Sequence, residues 1–339
     1  MKKILFTISN SHSTAYLAKE FQSLGFKVYM ADMNKDALGK HFADKFFVLP
    51  SQKSDTYINE LLEVIKTEAI DIVVPAGEYE CLKIAKDKDR FLDLNCIPVI
   101  TNIETLEVCL EKADSYDFLV QNLDIPFMKY HIVESLEDLD KGLEKLQGCK
   151  KLSIKPSQGS GSRGFTIIDN KILDANEYFN NKSTFNTMSI YDLRKMLNES
   201  EVVPRLILME MLDGIHHDSN MICRNGEIIF QSVKTREEAK IGTITKATIV
   251  NNSEIYEINK KIVKALNVTG YIMIQYIGNK LVEINPRWST SLNTDDINEY
   301  GMAVDLALGK EISVSEEANT SYIGTKFLRY FDVLVYKDK

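Results

Sequence analysis

The stretch Leu281–Thr290, LVEINPRWST, places a carboxylate, an amide, a proline and an arginine in its middle, Glu283-Ile284-Asn285-Pro286-Arg287. On a strand, residues two apart share a face, so Glu283 and Asn285 point one way and Val282 and Ile284 the other. Two oxygen donors on one face suit Mg²⁺, which prefers hard oxygen ligands and keeps waters that a phosphate can replace. Pro286 cannot extend the strand, and Arg287 beyond it can grip phosphate oxygens bidentately. The preceding strand, GYIMIQYI, carries Gln275 and connects through Gly278-Asn279. A two-residue turn there sets Gln275 opposite Val282, whereas a three-residue loop from Gly278 to Lys280 sets it opposite Glu283; the three-residue loop is expected. Read alone, the stretch is equally an edge strand with a solvated polar face.

Three other segments carry chemistry. In LSIKPSQGSGSRGF, residues 152–165, a strand ends at Lys155-Pro156 and resumes after Gly164. The loop offers small residues, close backbone N–H groups and a fixed cation, as a phosphate needs, although it is not a Walker loop because no GK[ST] opens a helix. As a lone Gly/Ser cluster it is also a plain hairpin tip. In LILMEMLDGIHHDSNMI, residues 206–222, an apolar strand runs through Glu210-Met211-Leu212 and turns at Asp213-Gly214. Such a segment can pair its backbone with an adenine edge, or serve as a core strand and turn. In SVKTREEAKIGTITKAT, residues 232–248, Lys234, Arg236, Lys240 and Lys246 gather positive charge, or form a solvated basic loop. His216 and His217 are adjacent and so face opposite ways on a strand, which argues against a joint metal site.

The whole chain bounds these readings. Its 339 residues suffice for two or three domains, with 44% hydrophobic and 27% charged residues and no low-complexity tract. Apolar runs such as IDIVVPA are too short to span a membrane, and the N-terminal MKKILFTISN reads as a buried strand rather than a signal peptide. The five cysteines are scattered and odd in number, which fits a reducing cytoplasm and argues against a disulfide framework or structural zinc. A net charge of −8 makes nucleic acid an unsuitable partner and requires any polyphosphate site to collect its positive charge locally.

Residues 1–102 alternate strands (KKILFTI, KVYMAD, IDIVVPA, IPVITN) with helices, the first capped by Ser13 or Thr14 and the second by Ser54 or Asp55. That alternation predicts a parallel, doubly wound sheet. The loop after the first strand, SNSHST, lacks the GxGxxG of a dinucleotide site, although Ser9 to Ser13 lie where a substrate meets such a sheet. From residue 103 the pattern is helical as far as Pro126. A strand, a helix (SLEDLDKGLEKL) and a hairpin (KKLSIKP with FTIID) follow. Residues 205–284 read as antiparallel strands, making this part α+β.

In their order, KP with a Gly/Ser-rich loop, Glu-x-Leu-x-Gly, Gln and E-x-N-P-R, these segments resemble the ATP-grasp superfamily. The likeness is to the ATP-grasp module of carbamoyl-phosphate synthase large chains and spans essentially the whole chain. It implies a pre-ATP-grasp Rossmann-like domain at 1–102, an ATP-grasp small lobe with linking helices at 103–204 and a large lobe with the metal and phosphate site at 205–339. By position, Lys112 and Lys155 match the lysines that hold ATP phosphates, and Gly159, Ser160, Gly161 and Ser162 match the closing loop. Glu210, Met211 and Leu212 match the adenine hinge. Gln275, Glu283 and Asn285 match the Mg²⁺ ligands, with Mn²⁺ as an admissible substitute, and Arg287 matches the arginine at the transferred phosphate. Where many members carry a ribose-binding glutamate two residues after the hinge glycine, this chain has His216, and Asp218 on the same strand face is the substitute. Carbamoyl-phosphate synthases use two such modules and this chain has one, so carbamoyl phosphate is not its expected product.

The resemblance implies a cytoplasmic ATP- and Mg²⁺-dependent ligase that joins a small-molecule carboxylate to an amine through an acyl phosphate, with Arg287 and Lys155 catalytic. A homodimer is common among such proteins. Lys234, Arg236, Ser9 and Asn10 are the candidates for substrate contact, chosen on charge and topology. A small-molecule kinase and a non-enzymatic nucleotide-binding subunit are the competing classes.

Overall fold

The computed structural model describes residues 1–159, 163–170, 186–240, 243–291, 293–330 and 332–337. Five short strands open the chain: β1 (Lys3–Phe6), β2 (Lys27–Asp32), β3 (Lys45–Val48), β4 (Ile72–Val74) and β5 (Ile97–Pro98). They pair in parallel in the order β3-β2-β1-β4-β5. The order reverses direction beside β1, so the carboxyl ends of β1 and β4 form the crevice where doubly wound sheets take ligands. Helices α1 (Thr14–Ser23), α2 (Gly39–Phe42), α3 (Tyr57–Glu68), α4 (Glu78–Lys86), α5 (Lys88–Asp93) and α6 (Ile103–Leu110) connect and follow these strands.

Several local expectations need correction. The residue preceding α3 is Thr56, rather than Ser54 or Asp55, and its side chain makes no capping bond; Ser54 instead bonds Thr56 in a tight turn. The run 78–93 breaks at Asp87 into α4 and α5, and the run after 103 breaks at Glu111 between α6 and α7 (Lys112–Asn122). Strand β3 was not expected at all.

The next sheet orders β6 (Tyr130–Val133), β7 (Leu152–Pro156), β8 (Thr166–Ile168), β9 (Asn186–Met188) and β10 (Leu206–Glu210) as β6-β10-β7-β8-β9. The hairpin of β7 with β8 is antiparallel, as read from sequence, with Leu152 opposite Ile168. Helices α8 (Leu136–Lys145) and α9 (Ile190–Glu199) begin with Ser135 and Ser189, whose hydroxyls cap Asp138 and Asp192 N–H. Their apolar faces join strand residues in one core that includes Leu139, Leu193, Leu197 and Leu208.

The last sheet, β15-β14-β11-β12-β13-β16, comprises β11 (His216–Arg224), β12 (Glu227–Lys240), β13 (Thr243–Val250), β14 (Gly270–Ile277), β15 (Lys280–Asn285) and β16 (Lys326–Leu328). Helices α10 (Ser253–Ala265), α11 (Glu299–Ala307) and α12 (Glu316–Tyr322) complete the chain.

Two compact units emerge, and they do not follow chain order. One comprises Met1–Leu110, His217–Gln275 and Ile284–Lys339; the other comprises Glu111–His216 and Tyr276–Glu283. The first unit is held by one shared core, in which Phe6, Phe21 and Val74 of the parallel sheet layer meet Tyr271, Met273 and Tyr300. Polar bonds reinforce it. Thr101 Oγ1 donates to Tyr271 O at 2.6 Å, Thr105 Oγ1 to Leu266 O at 3.0 Å, and Asn102 and Thr269 exchange bonds. Gly270 sits at φ +127° against Thr101, where a Cβ would lie 2.7 Å from that residue's Cα. Only glycine allows this approach.

Candidate active site

In the second unit, α7 and the strand β7 bring two lysines to one place. Lys112, the first residue of α7, is buried; its Nζ donates to Gly159 O at 2.6 Å and lies 3.5 Å from Glu283 Oε1. Lys155 near the end of β7 is buried as well, and its Nζ donates to the Tyr116 hydroxyl at 2.8 Å. Tyr116 lies one turn after Lys112 on the same face of α7, and its hydroxyl donates to Val282 O. Burial pushes the Lys155 ammonium below its ordinary pKa, and Glu283 only partly opposes this. Ser157 fixes the loop base: its Oγ accepts from Ala113 N and donates to Glu111. Gly159 stands at φ +131°. Ser160, Gly161 and Ser162 lie outside the described residues.

Glu210 ends β10. Lys280 Nζ donates to its Oε1 at 2.8 Å and Lys129 N at 2.9 Å. Burial works against the carboxylate, yet these two donors hold its pKa below the ordinary carboxylate value. Met211 N donates to Lys151 O. Leu212 packs beside the core of Tyr116, Met128 and Met209. The turn of β14 and β15 is Gly278-Asn279, two residues with Gly278 at φ 60°. The expected three-residue loop does not form. Glycine at the first turn position takes the positive φ of a hairpin turn whose twist matches its strands, so the register argument that aimed Gln275 at Glu283 fails.

In the first unit, Asn285 is buried and Arg287 half-buried. The Arg287 guanidinium donates from Nε to Glu78 Oε1 at 3.0 Å, from Nη1 to Trp288 O and from Nη2 to Asn285 Oδ1 at 3.2 Å. Glu78 opens α4 just after β4, at the crevice edge. Two residues on, Glu80 is fully buried and accepts from Thr7, Tyr57 and the N–H groups of Ala76 and Gly77. Burial raises its pKa, against those hydrogen bonds. The expected contact loop is largely committed internally: Ser9 Oγ donates to Ala31 O, and Asn10 Oδ1 accepts from Leu38 N.

Asp218 lies directly across from Lys234 in the pairing of β11 with β12. Lys234 is wholly buried and its Nζ has no hydrogen-bond partner among the described residues. Desolvation lowers its pKa, while Glu299 and Asp218 favour the charge. Glu299 accepts from Asn220 at 2.6 Å, Ser232 at 2.5 Å and Tyr322 at 3.0 Å. The expected cluster of positive charge is thus not an open patch. Lys246 pairs with Glu237 at 3.2 Å, Lys234 is interior, Arg236 is half-buried, and the Lys240 side chain lies outside the described set.

Among the described residues no three His, Cys, Asp or Glu side chains group as a metal site. Mg²⁺ fits the donor chemistry of β15 all the same, because Glu283 and Asn285 offer a carboxylate and an amide oxygen two residues apart on one strand. His216 is exposed and His217 buried, as their adjacency on a strand requires.

Residues 109–291, more than half of the chain, match the family described as ATP-grasp domain, and residues 6–100 match the PylC-like N-terminal domain. The chain belongs to the ATP-grasp family. This ATP-grasp chain is 23% identical over 327 residues to the carbamoyl phosphate synthase large chain of Archaeoglobus fulgidus, an alignment covering 89% of the chain but 28% of that relative. It thus spans little more than a quarter of that protein's length. Among solved structures, the N5-carboxyaminoimidazole synthetase of Staphylococcus aureus complexed with ADP superposes with a TM-score of 0.67 at 14% identity, covering 92% of this chain and 79% of that one. The L-amino acid ligase of Bacillus licheniformis superposes at 0.57 and 15%, covering 85% and 67%. At these identities the superpositions establish the ATP-grasp fold.

Sequence reasoning missed Tyr116, Lys280, Glu78 and Glu299. Tyr116 carried a signal, four residues after Lys112 on one helix, and Glu78 follows a buried strand at the sheet's carboxyl end. Lys280 meets Glu210 across 70 positions and Glu299 meets Asn220 across 79, so neither left a local signal.

Proposed function

We propose that this chain is an ATP- and Mg²⁺-dependent ligase that joins a small carboxylate to an amine through an acyl phosphate. A carboxylate oxygen of the substrate attacks the γ-phosphorus and ADP leaves. The amine then attacks the acyl carbon, phosphate departs with the bonding pair, and the new amide nitrogen gives up a proton. Such phosphoryl transfer asks for positioning and charge neutralisation rather than covalent help.

The observation that carries this reading is the burial of Lys155, whose ammonium has only the Tyr116 hydroxyl as hydrogen-bond partner among the described residues, beside the buried Lys112 that Glu283 already pairs. Holding ammonium groups out of water is costly without a strong counter-charge, and a polyphosphate supplies one. Lys112, Lys155 and the loop beginning at Gly159 take the phosphates, and Glu210 to Leu212 take the adenine. Asp218 is the ribose candidate. Glu283 and Asn285 would hold Mg²⁺, which when bound would neutralise phosphate charge and polarise the γ-phosphorus, while the two-residue turn sets Gln275 opposite Val282, away from that face. Arg287, steadied by Glu78, stabilises the phosphoryl group in transit. Of the two basic candidates for the substrate carboxylate, Arg236 remains, because Lys234 is interior. The names of the ATP-grasp relatives, a synthase, a synthetase and a ligase, support this class.

Glu283→Ala and Arg287→Ala test the assignment. Each variant should lose substrate-stimulated ADP formation at least a hundredfold while its circular dichroism stays that of the parent. Near-normal turnover in either would mean that the site is placed on the wrong residues.

A further inference from the structure

A cavity of about 290 Å³ lies inside the first unit. Its walls come from α4, α5 and the segment Ile97–Thr101 on one side and from Thr269–Tyr271, Pro286–Trp288 and α11 on the other. Val99, Pro98, Pro286, Ile97 and Leu306 make most of it apolar. The volume suits a small organic molecule, at the lower end of ligand pockets.

The charged lining has one sign. Lys88 stands exposed at the rim, Arg287 lies in the wall, and among the described residues no aspartate or glutamate belongs to the lining, in a chain whose net charge is −8. Glu78 engages only Nε of Arg287, and Asn285 and the Trp288 carbonyl take one bond from each terminal nitrogen. A guanidinium has five N–H donors, so its capacity exceeds these three acceptors. A ligand bringing acceptor oxygens would find the unused guanidinium donors of Arg287 and the Lys88 ammonium here.

We propose that this cavity binds a small carboxylate carrying an apolar side chain, its carboxylate toward Arg287 and Lys88 and its hydrocarbon part against the walls from Ile97 and α11. The ligand class follows from the lining and does not need the ligase reading. That reading adds one consequence, since Arg287 is shared with the phosphoryl chemistry: the bound acid is either the substrate or an effector acting through Arg287.

The test is calorimetric titration of the full chain, without nucleotide, with 4-methylpentanoate and phenylacetate. Their neutral amides and the matching amines serve as controls. The acids should bind, the amides at least tenfold more weakly and the amines not at all. Ala307→Phe, which fills the cavity, should abolish binding. Leu92→Glu, at an exposed rim position where folding is not at stake, should weaken acid binding at least fivefold by like-charge repulsion. Amides binding as well as acids, no acid binding at millimolar concentration, or binding indifferent to both substitutions would overturn the proposal. With ATP, Mg²⁺ and hydroxylamine added, a bound acid that yields hydroxamate is the substrate and one that does not is an effector. Either result keeps the pocket and neither decides the ligase reading, which stands or falls with the Glu283→Ala and Arg287→Ala assays.

Discussion

Lys155→Met should move stability and nucleotide binding in opposite directions. Lys155 is 8% exposed, and its ammonium donates a hydrogen bond to Tyr116. Replacement by an apolar side chain of similar length loses that charge-assisted bond, about 1.5–3 kcal/mol. It also removes an ion whose effective burial cost is several kcal/mol. Tyr116 is not orphaned, because its hydroxyl still donates to Val282 O. The net expectation is a gain of about 1–3 kcal/mol, a rise in melting temperature of about 2–4 °C for each kcal/mol. The gain depends on pH. Burial holds the folded-state pKa of Lys155 below its ordinary value, so between that pKa and the unfolded value of about 10.4 the unfolded chain binds more protons. The parent therefore gains stability as pH rises through this window, and the variant's advantage, full below the window, shrinks toward pH 10. Binding runs the other way. Losing a charge-assisted bond to a phosphate costs about 1.5–3 kcal/mol, about 10- to 150-fold in Kd for ATP. Scanning calorimetry at pH 7 and 10, with titration of a fluorescent ATP analogue, reads both. A variant that melts lower at pH 7, or binds ATP as tightly as the parent, would refute the reasoning.

Glu299→Ala should cost about 3–5 kcal/mol, because it removes an acceptor from Asn220, Ser232 and Tyr322 and leaves Lys234 interior with less counter-charge; urea unfolding measures it, and a loss below 1 kcal/mol would show that the network is not holding that core. Gly270→Ala forces a methyl against Thr101 backbone at positive φ and should destabilise by at least about 1–3 kcal/mol. Proteolysis should then open the segment 97–105 early, and unchanged protection there would contradict the close approach as a requirement of packing.

Much of this was legible in sequence because its signals are local. The strand and helix alternation of the first hundred residues follows from apolar runs buried in a parallel sheet, and β1, β2, β4 and β5 lie where those runs are. The ordered segments from Lys155 to Arg287 pointed to the family for the same reason, since each is a short run of fixed residue types. What failed depends on conformations or contacts that a local window cannot contain. The turn at Gly278-Asn279 was decided by glycine's positive φ rather than by the side chains it was asked to align. Lys234 read as part of an open basic segment, yet its pairing opposite Asp218 and the arrival of Glu299 from 65 positions further along place it in the interior. The shared core that joins Phe6 and Val74 to Tyr271 and Tyr300 is equally non-local. Glu78 was adjacent to every expected feature, but its role emerges only through Arg287, more than two hundred residues away.

The central claim, that ATP activates a carboxylate as an acyl phosphate, is met most directly by one measurement. ADP release is followed with Mg²⁺ and ATP across amino acids and small carboxylates, each with and without hydroxylamine. The account predicts that at least one acid stimulates ADP release and that hydroxylamine traps the corresponding hydroxamate. ADP formed on a hydroxyl compound, with neither hydroxamate nor free phosphate, would contradict it and make the chain a kinase.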